Sequence, residues 1–401
     1  MKVLQINSVC GIRSTGRICT DIADVLKESG DECRIGFGRG KVPECYRQIA
    51  IPIGGRVSTI LHGVGTRLFD NTGFYSIAAT RSFLKCVDSY KPDLVHLHNL
   101  HGYYINIKLL FEYIKEKNLP VVWTLHDCWA FTGHCSHFAV RDCQRWKKQC
   151  HSCPMRDKYP ASLLLDNSSM NHRRKNELFS GIERMQIITP SDWLGHCVEQ
   201  SFLGQYPIET IQNGVDLSAF HPIESDVSKR YGLQKKKIIL GVASTWTEHK
   251  GLGKFYRLAE LLGEEYQVVL VGLKRTQLNQ LPANVLGIER TNSIQELAQL
   301  YTAAYVHVSM SQEETMGLTI IEANACGTPV IVFDRTALPE IVTPGTGIVL
   351  KECTAEAVAQ VLNDVNFSKE RYTDACIAHA RQFEKKKMYS KYISVYWSMV
   401  E

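Results

Sequence analysis

Short apolar runs alternate with amphipathic helical stretches along the whole chain. The runs at 2–7, 32–38, 93–98, 120–126 and 184–190 are rich in Val, Ile and Leu and too short for helices, so they read as buried strands. Between them, 16–29 and 106–118 carry helical periodicity, and Gly30 is a stop signal for the first of these. The pattern then restarts. Strands are expected at 235–244, 266–272, 305–311 and 329–334, and helices at 250–263 and 293–304, with Ser293 as an N-cap. Strand–helix alternation of this kind predicts parallel sheets with crossover helices, the α/β class. Two successive units suit a chain of 401 residues. The join is placed near 217–235, where the sequence turns polar and irregular, giving a first domain over 1–216 and a second over 217–385.

Composition narrows the function classes. Hydrophobic residues make up 44% and charged residues 22%, ordinary for a soluble globular chain. A net charge of +5 is mild and does not argue for nucleic acid as a partner. The start lacks the apolar core of a signal peptide, and no apolar run reaches the ~18 residues of a spanning helix. The expected location is the cytoplasm, where the fourteen cysteines would be reduced thiols or metal ligands. Four of them, Cys135, Cys143, Cys150 and Cys153, fall in one short stretch. Cys150 and Cys153 have the spacing of half a zinc site, and the other two would complete four thiolates. Two readings stand side by side: a structural zinc tying down a long loop, or free thiols packing as small hydrophobes.

The chemistry concentrates in "EETMGLTIIEANACGTPV", 313–330. It reads loop, helix, glycine stop, strand. Glu314 lies in the loop, which in an open parallel sheet is where ligands bind. Gly317 allows a ligand close to the backbone, and the first helical turn offers free N–H groups. Glu322 interrupts the apolar set Leu318, Ile320, Ile321, Ala323 and Ala325, at a cost unless something hydrogen-bonds it. A ribose diol would do so, and so would a lysine.

Glu314 and Glu322 form E-x7-E, followed by "EANACGTPV". This resembles the signature of family-4 retaining glycosyltransferases, which have the GT-B fold of two Rossmann-like domains facing a central cleft. The resemblance extends through "TLHD" (124–127), "TPSDWL" (189–194), "NGVD" (213–216) and "HKG" (249–251), nearly the whole chain in the family's order. The wording "HLHNLHG" and "HDCWAFTGHC" is similar to bacterial exopolysaccharide and capsule enzymes of the colanic-acid type. The resemblance implies a sugar moved from an NDP-sugar donor to a glycan or lipid-linked acceptor, with no cofactor required for catalysis. It implies that Glu322 holds the ribose, that Glu314 faces the donor sugar, and that Met316, Gly317, Leu318 and Thr319 offer backbone amides. Lys250 would contact the diphosphate, Asn213 and Gly16 would lie with the donor, and His126 would sit at the reacting centre. The final segment, 386–401, would cross back to the first domain.

Other positions qualify this picture. The family usually has an arginine where this chain has Thr245, leaving Lys254, Arg275 or an amide to substitute. His98, Asn99 and His101 end a strand and suit acceptor hydroxyls better than a metal; an ordinary polar turn is the alternative. "SVCGIRSTGR" (8–17) has a glycine spacing like a P-loop, but Arg17-Ile18 replaces the required Lys-Ser/Thr, so that motif is rejected. Arg13 in this loop is an acceptor candidate. The stretch 54–70 has apolar positions and two arginines that could meet anionic headgroups at the inner face of a membrane, or could be a solvated face. A sugar-nucleotide epimerase on the same fold and a non-catalytic sugar-nucleotide binding protein are the rival functions.

Overall fold

The computed structural model describes all residues from Met1 to Glu401. Two compact units emerge: Met1–Gln212 with Met388–Glu401, and Asn213–Lys387. The first holds a seven-stranded sheet: β1 (Lys2–Asn7), β2 (Glu32–Phe37), β3 (Ala50–Pro52), β4 (Leu94–Leu97), β5 (Val121–Thr124), β6 (Met185–Thr189) and β7 (Ile208–Thr210). Every pairing is parallel, in the order β3-β2-β1-β4-β5-β6-β7. The second holds six parallel strands: β8 (Lys237–Val242), β9 (Tyr266–Val271), β10 (Val285–Ile288), β11 (Val306–Ser309), β12 (Val330–Phe333) and β13 (Gly347–Leu350), ordered β10-β9-β8-β11-β12-β13.

Alternation along the strands explains why their sequences read as continuous apolar runs. In β1, Leu4 and Ile6 join the core on one face of the sheet, while Val3 joins the core on the other. In β8, Ile238 and Leu240 face one layer and Ile239 the other. A strand covered by helices on both faces has no polar side to show. The last helix, Lys385–Val400, supplies part of that cover. Its Met388, Tyr389, Tyr392, Val395 and Tyr396 pack with Val3, Ile22, Leu94 and Ile188 of the first unit.

Three boundaries differ from the sequence expectation. Asn213 to Asp216 belong to the second unit, because Val215 makes a parallel bridge with Glu384. The first helix is Arg13–Glu28, so Gly16 lies inside its first turn, packed against Val9 and the Gly11 amide. The helix expected at 250–263 is Leu252–Leu261, and Lys250 ends a separate 3-10 turn, Glu248–Lys250.

Gly251 links that turn to the helix in the left-handed region, at φ 78°. A Cβ there would lie 2.5 Å from Met310 Cβ and 2.7 Å from the Met310 carbonyl oxygen. Strain and overlap therefore act together. Gly251→Ala should destabilise the second unit by on the order of 2 kcal/mol or more, seen as a lower thermal midpoint. An unchanged midpoint would contradict the packing described.

Candidate active site

In each sheet the chain reverses its direction of growth beside the first strand of that sheet, between β1 and β4 and between β8 and β11. Crevices outside the carboxyl ends of such strands are where open α/β sheets bind ligands. The chemistry-bearing side chains of each unit gather at these ends.

In the second unit, the loop after β8 carries Lys250 and the loop after β11 carries Glu314. Lys250 Nζ donates to Glu314 Oε1 at 2.5 Å, and both side chains are partly exposed. A lysine just before a helix N-terminus needs a nearby anion; Glu314 is one. The Glu314 backbone is pinned by Thr336, whose hydroxyl accepts from the Glu314 amide at 2.9 Å and donates to its carbonyl at 2.8 Å. Gly317 then turns the chain at φ 91° into the helix Leu318–Ala325. Glu322 lies within that helix at 9% exposure, and its Oε2 accepts from the buried Tyr301 hydroxyl at 3.1 Å. Tyr301, which no sequence pattern pairs with Glu322, thus offsets part of the cost of a carboxylate among apolar neighbours. Met316 is buried, and its Sδ accepts from the Asn213 amide at 3.1 Å.

In the first unit, His98 follows β4 and His126 follows β5, on neighbouring strands. His98 Nδ1 and His126 Nε2 are 3.0 Å apart, with ring planes 10° apart. His98 is 1% exposed and both its ring nitrogens are engaged within the protein, by His126 and Gln5, so it does not fit the direct acceptor contact expected from sequence. His101 Nε2 contacts Asp127 Oδ2 at 2.6 Å, and its Nδ1 meets the Tyr159 hydroxyl at 3.0 Å. Asp127 Oδ1 accepts from the Trp129 amide at 2.9 Å. The Asn99 amide donates to Asn7 Oδ1 at 3.3 Å, and Arg13 is exposed. His98, Asn99, His101, His126, Asp127 and Trp129 line one cleft. Burial pushes His126 down to about 4. For Asp127, burial pushes upward, but His101 outweighs it and brings the carboxyl down to about 2.

Residues 15–219, more than half of the chain, match the family described as Glycosyltransferase Family 4, and residues 224–383 match Glycosyl transferases group 1. The chain belongs to glycosyltransferase family 4. It is 26% identical over 292 residues to the putative colanic acid biosynthesis glycosyl transferase WcaC of Escherichia coli K12, covering 71% of this chain and 69% of that protein. It is 23% identical over 356 residues to an uncharacterized 41.2 kDa protein in the cps region of Klebsiella pneumoniae, covering 82% and 87%. Among solved structures, Anabaena Alr3699/HepE in complex with UDP-glucose superposes with a TM-score of 0.68 at 14% identity, over 99% of this chain and 100% of that one. The fold is GT-B.

The remaining candidates of this glycosyltransferase are placed as follows. Thr245 is exposed and its hydroxyl donates to the Ser244 carbonyl. Lys254 is engaged by Cys353 Sγ at 2.9 Å, and Arg275 is a surface residue paired with Glu289. Cys135 and Cys150 belong to the first unit's core, and Cys143 and Cys153 pack against it. No group of three or more His, Cys, Asp or Glu side chains is placed to hold a metal ion. Cys150 Sγ accepts from the Gly133 amide at 3.2 Å. Cys135 is hydrogen-bonded to Cys153, which lowers the Cys153 thiol and raises that of Cys135.

The neutral state of His126 has a measurable consequence. Below pH 6.5 the unfolded chain takes up a proton that the folded His126 refuses until about pH 4. Stability should fall as pH drops through that window. At pH 5 the loss, relative to pH 7.5 and to His126→Gln, should be on the order of 1 kcal/mol after allowance for partial exposure. Urea unfolding of both proteins at the two pH values measures it, and a pH-independent difference would refute it.

Proposed function

We propose that this enzyme transfers a hexose from a nucleoside-diphosphate sugar to a hydroxyl of a glycan or lipid-linked saccharide, with retained anomeric configuration, in bacterial surface polysaccharide synthesis. The observation that carries the proposal is the Lys250–Glu314 pair beyond the carboxyl ends of β8 and β11, with Glu314 on the same segment as Glu322. An ammonium has three donors, so Lys250 can keep one on Glu314 and turn the others to a diphosphate. The backbone amides from Met316 to Thr319 would meet the donor's phosphates and sugar. Glu322 would accept from the ribose hydroxyls, and Asn213 and Gly16 would complete the donor contacts. Developing charge on the departing diphosphate would fall on Lys250 and these amides; one such preorganised donor commonly accounts for about 10²–10³ in rate. In the first unit, His126 would stand by the reacting sugar, with Arg13, Asn99 and His101 toward the acceptor. The acceptor oxygen would attack C1 from the face that the diphosphate leaves.

Two comparisons support the donor and pathway. Anabaena HepE, which shares the fold, is solved with UDP-glucose, and the WcaC relative is named for colanic acid biosynthesis. A thermal-shift screen of nucleoside-diphosphate sugars tests the donor. One nucleotide class should raise the midpoint of the wild type, and Glu322→Ala should lose that rise. If no nucleotide sugar stabilises the wild type, the donor assignment fails. Analysis of the product separates transfer from epimerisation, and its anomeric proton coupling reads retention.

The proposal includes peripheral contact with an anionic bilayer. No helix is long and apolar enough to cross a membrane. The helix Arg56–Phe69 instead exposes Val57, Ile60, Leu61 and Val64, a single face at helical spacing. Leu163, Leu164 and Leu165 are also exposed, and the Leu163 amide donates to the Arg67 carbonyl at the end of that helix. Arg56 and Arg67 bring positive charge, while the acid that closes the helix, Asp70, is buried against His134. Apolar side chains beside uncompensated arginines suit an interfacial helix. The protein should sediment with vesicles containing phosphatidylglycerol and not with pure phosphatidylcholine, and Leu61→Glu should weaken that binding several-fold. Equal sedimentation of the variant would exclude this face.

A further inference from the structure

We propose that Gln5 and His98 act as a relay that fixes which nitrogen of His126 carries its proton. The chain of contacts begins with an atom that has only one role. The Cys19 carbonyl can only accept, and Gln5 meets it at 2.8 Å. The Gln5 atom there must be its amide nitrogen, which also lies 3.3 Å from Cys33 Sγ. Turning the amide over would set two carbonyl oxygens against each other in a fully buried site. Gln5 Oε1 is therefore held toward His98 Nε2, at 3.0 Å.

An amide oxygen only accepts, so His98 Nε2 carries hydrogen. Burial holds His98 well below its ordinary value, and burial also holds His126 down, so each ring is neutral near pH 7 and has one N–H. His98 Nδ1 is then a lone pair, and it faces His126 Nε2 at 3.0 Å. The hydrogen of His126 must sit on that Nε2, leaving Nδ1 as its basic, accepting nitrogen. The near-parallel ring planes suit a bond in the plane of both imidazoles. The His98 ring is backed by His96, 3.9 Å away between centroids, whose two nitrogens are engaged by Tyr396 and Thr124. Parallel register brings the parts together: Gln5 of β1 lies opposite His96 of β4, and β4 pairs β5. Gln5 and His98 are positioning residues, acting on His126 without touching substrate.

The consequence for transfer rests on the function proposed above: His126 would accept from a hydroxyl and would not donate to one through Nδ1. The relay itself is tested without substrate. In nitrogen-15 spectra of histidine-labelled wild-type protein at pH 7.5, with His126→Gln supplying the assignment, His126 Nδ1 should be pyridine-like and Nε2 pyrrole-like. The reverse pattern, or an averaged one, overturns the proposal. Gln5→Met keeps the length and apolar volume of the side chain but removes the amide; in the folded variant His126 should show averaging between both tautomers. A wild-type pattern in folded Gln5→Met overturns the part assigned to Gln5. These spectra read the relay alone, so a failed donor screen leaves them intact, and an inverted tautomer leaves the donor assignment intact.

Discussion

The parallel pairing of β8 with β11, and of β1 with β4, is the constraint on which the functional surfaces depend. Parallel strands end together, so loops far apart in sequence leave one edge of the sheet side by side. Lys250 and Glu314 are sixty-four residues apart yet meet at 2.5 Å because their strands are neighbours. Gln5 and His98 are ninety-three residues apart and meet for the same reason. Local geometry then refines what the register supplies. Gly251 and Gly317 take left-handed conformations, which let the chain turn sharply before each helix.

The polar groups at these ends are buried to different degrees, and that decides their states. An isolated carboxylate in apolar surroundings costs several kcal/mol, more than one neutral hydrogen bond of about 1 kcal/mol returns. Glu322 is therefore tolerated only with Tyr301 and its other contacts in place. Lys250 and Glu314 keep partial exposure, so water shares the cost of their charges. His96, His98 and His126 take the third course. Burial removes their charge, and a chain of neutral hydrogen bonds replaces solvation.

Much of the fold was legible in the sequence, and the gaps share one cause. The nine strands read from apolar runs are all present within the expected stretches. The four that were not read, β3, β7, β10 and β13, are the two edges of each sheet. They are three or four residues long and carry partly exposed positions, so they lack the continuous apolar signal of a covered strand. The same logic applies to the site. Glu314 and Glu322 were visible because a loop, a glycine and a helix lie within one short segment. Tyr301 and Gln5 were not, because a buried tyrosine or glutamine in an apolar element announces no partner. Their roles come from register, which one-dimensional patterns do not carry. The cysteine cluster was visible from its spacing alone, but spacing does not separate four ligands from four thiols packed with the core, where the fold puts them.

The contrast between the two units follows from what each would have to meet. A donor of the proposed class brings two phosphates, and the second unit would meet them with the Lys250 ammonium, which Glu314 already shares. Sugar hydroxyls bring no charge, and in the proposed reading the cleft of the first unit would meet them with His126, which burial keeps neutral. If His126 stands by the reacting sugar as proposed, a protonated imidazole there would oppose positive charge growing at C1. Neutrality alone is not enough, because a neutral imidazole can still present either a hydrogen or a lone pair. A buried glutamine anchored on a carbonyl removes that ambiguity without adding a charge, which a carboxylate in the same place would not do.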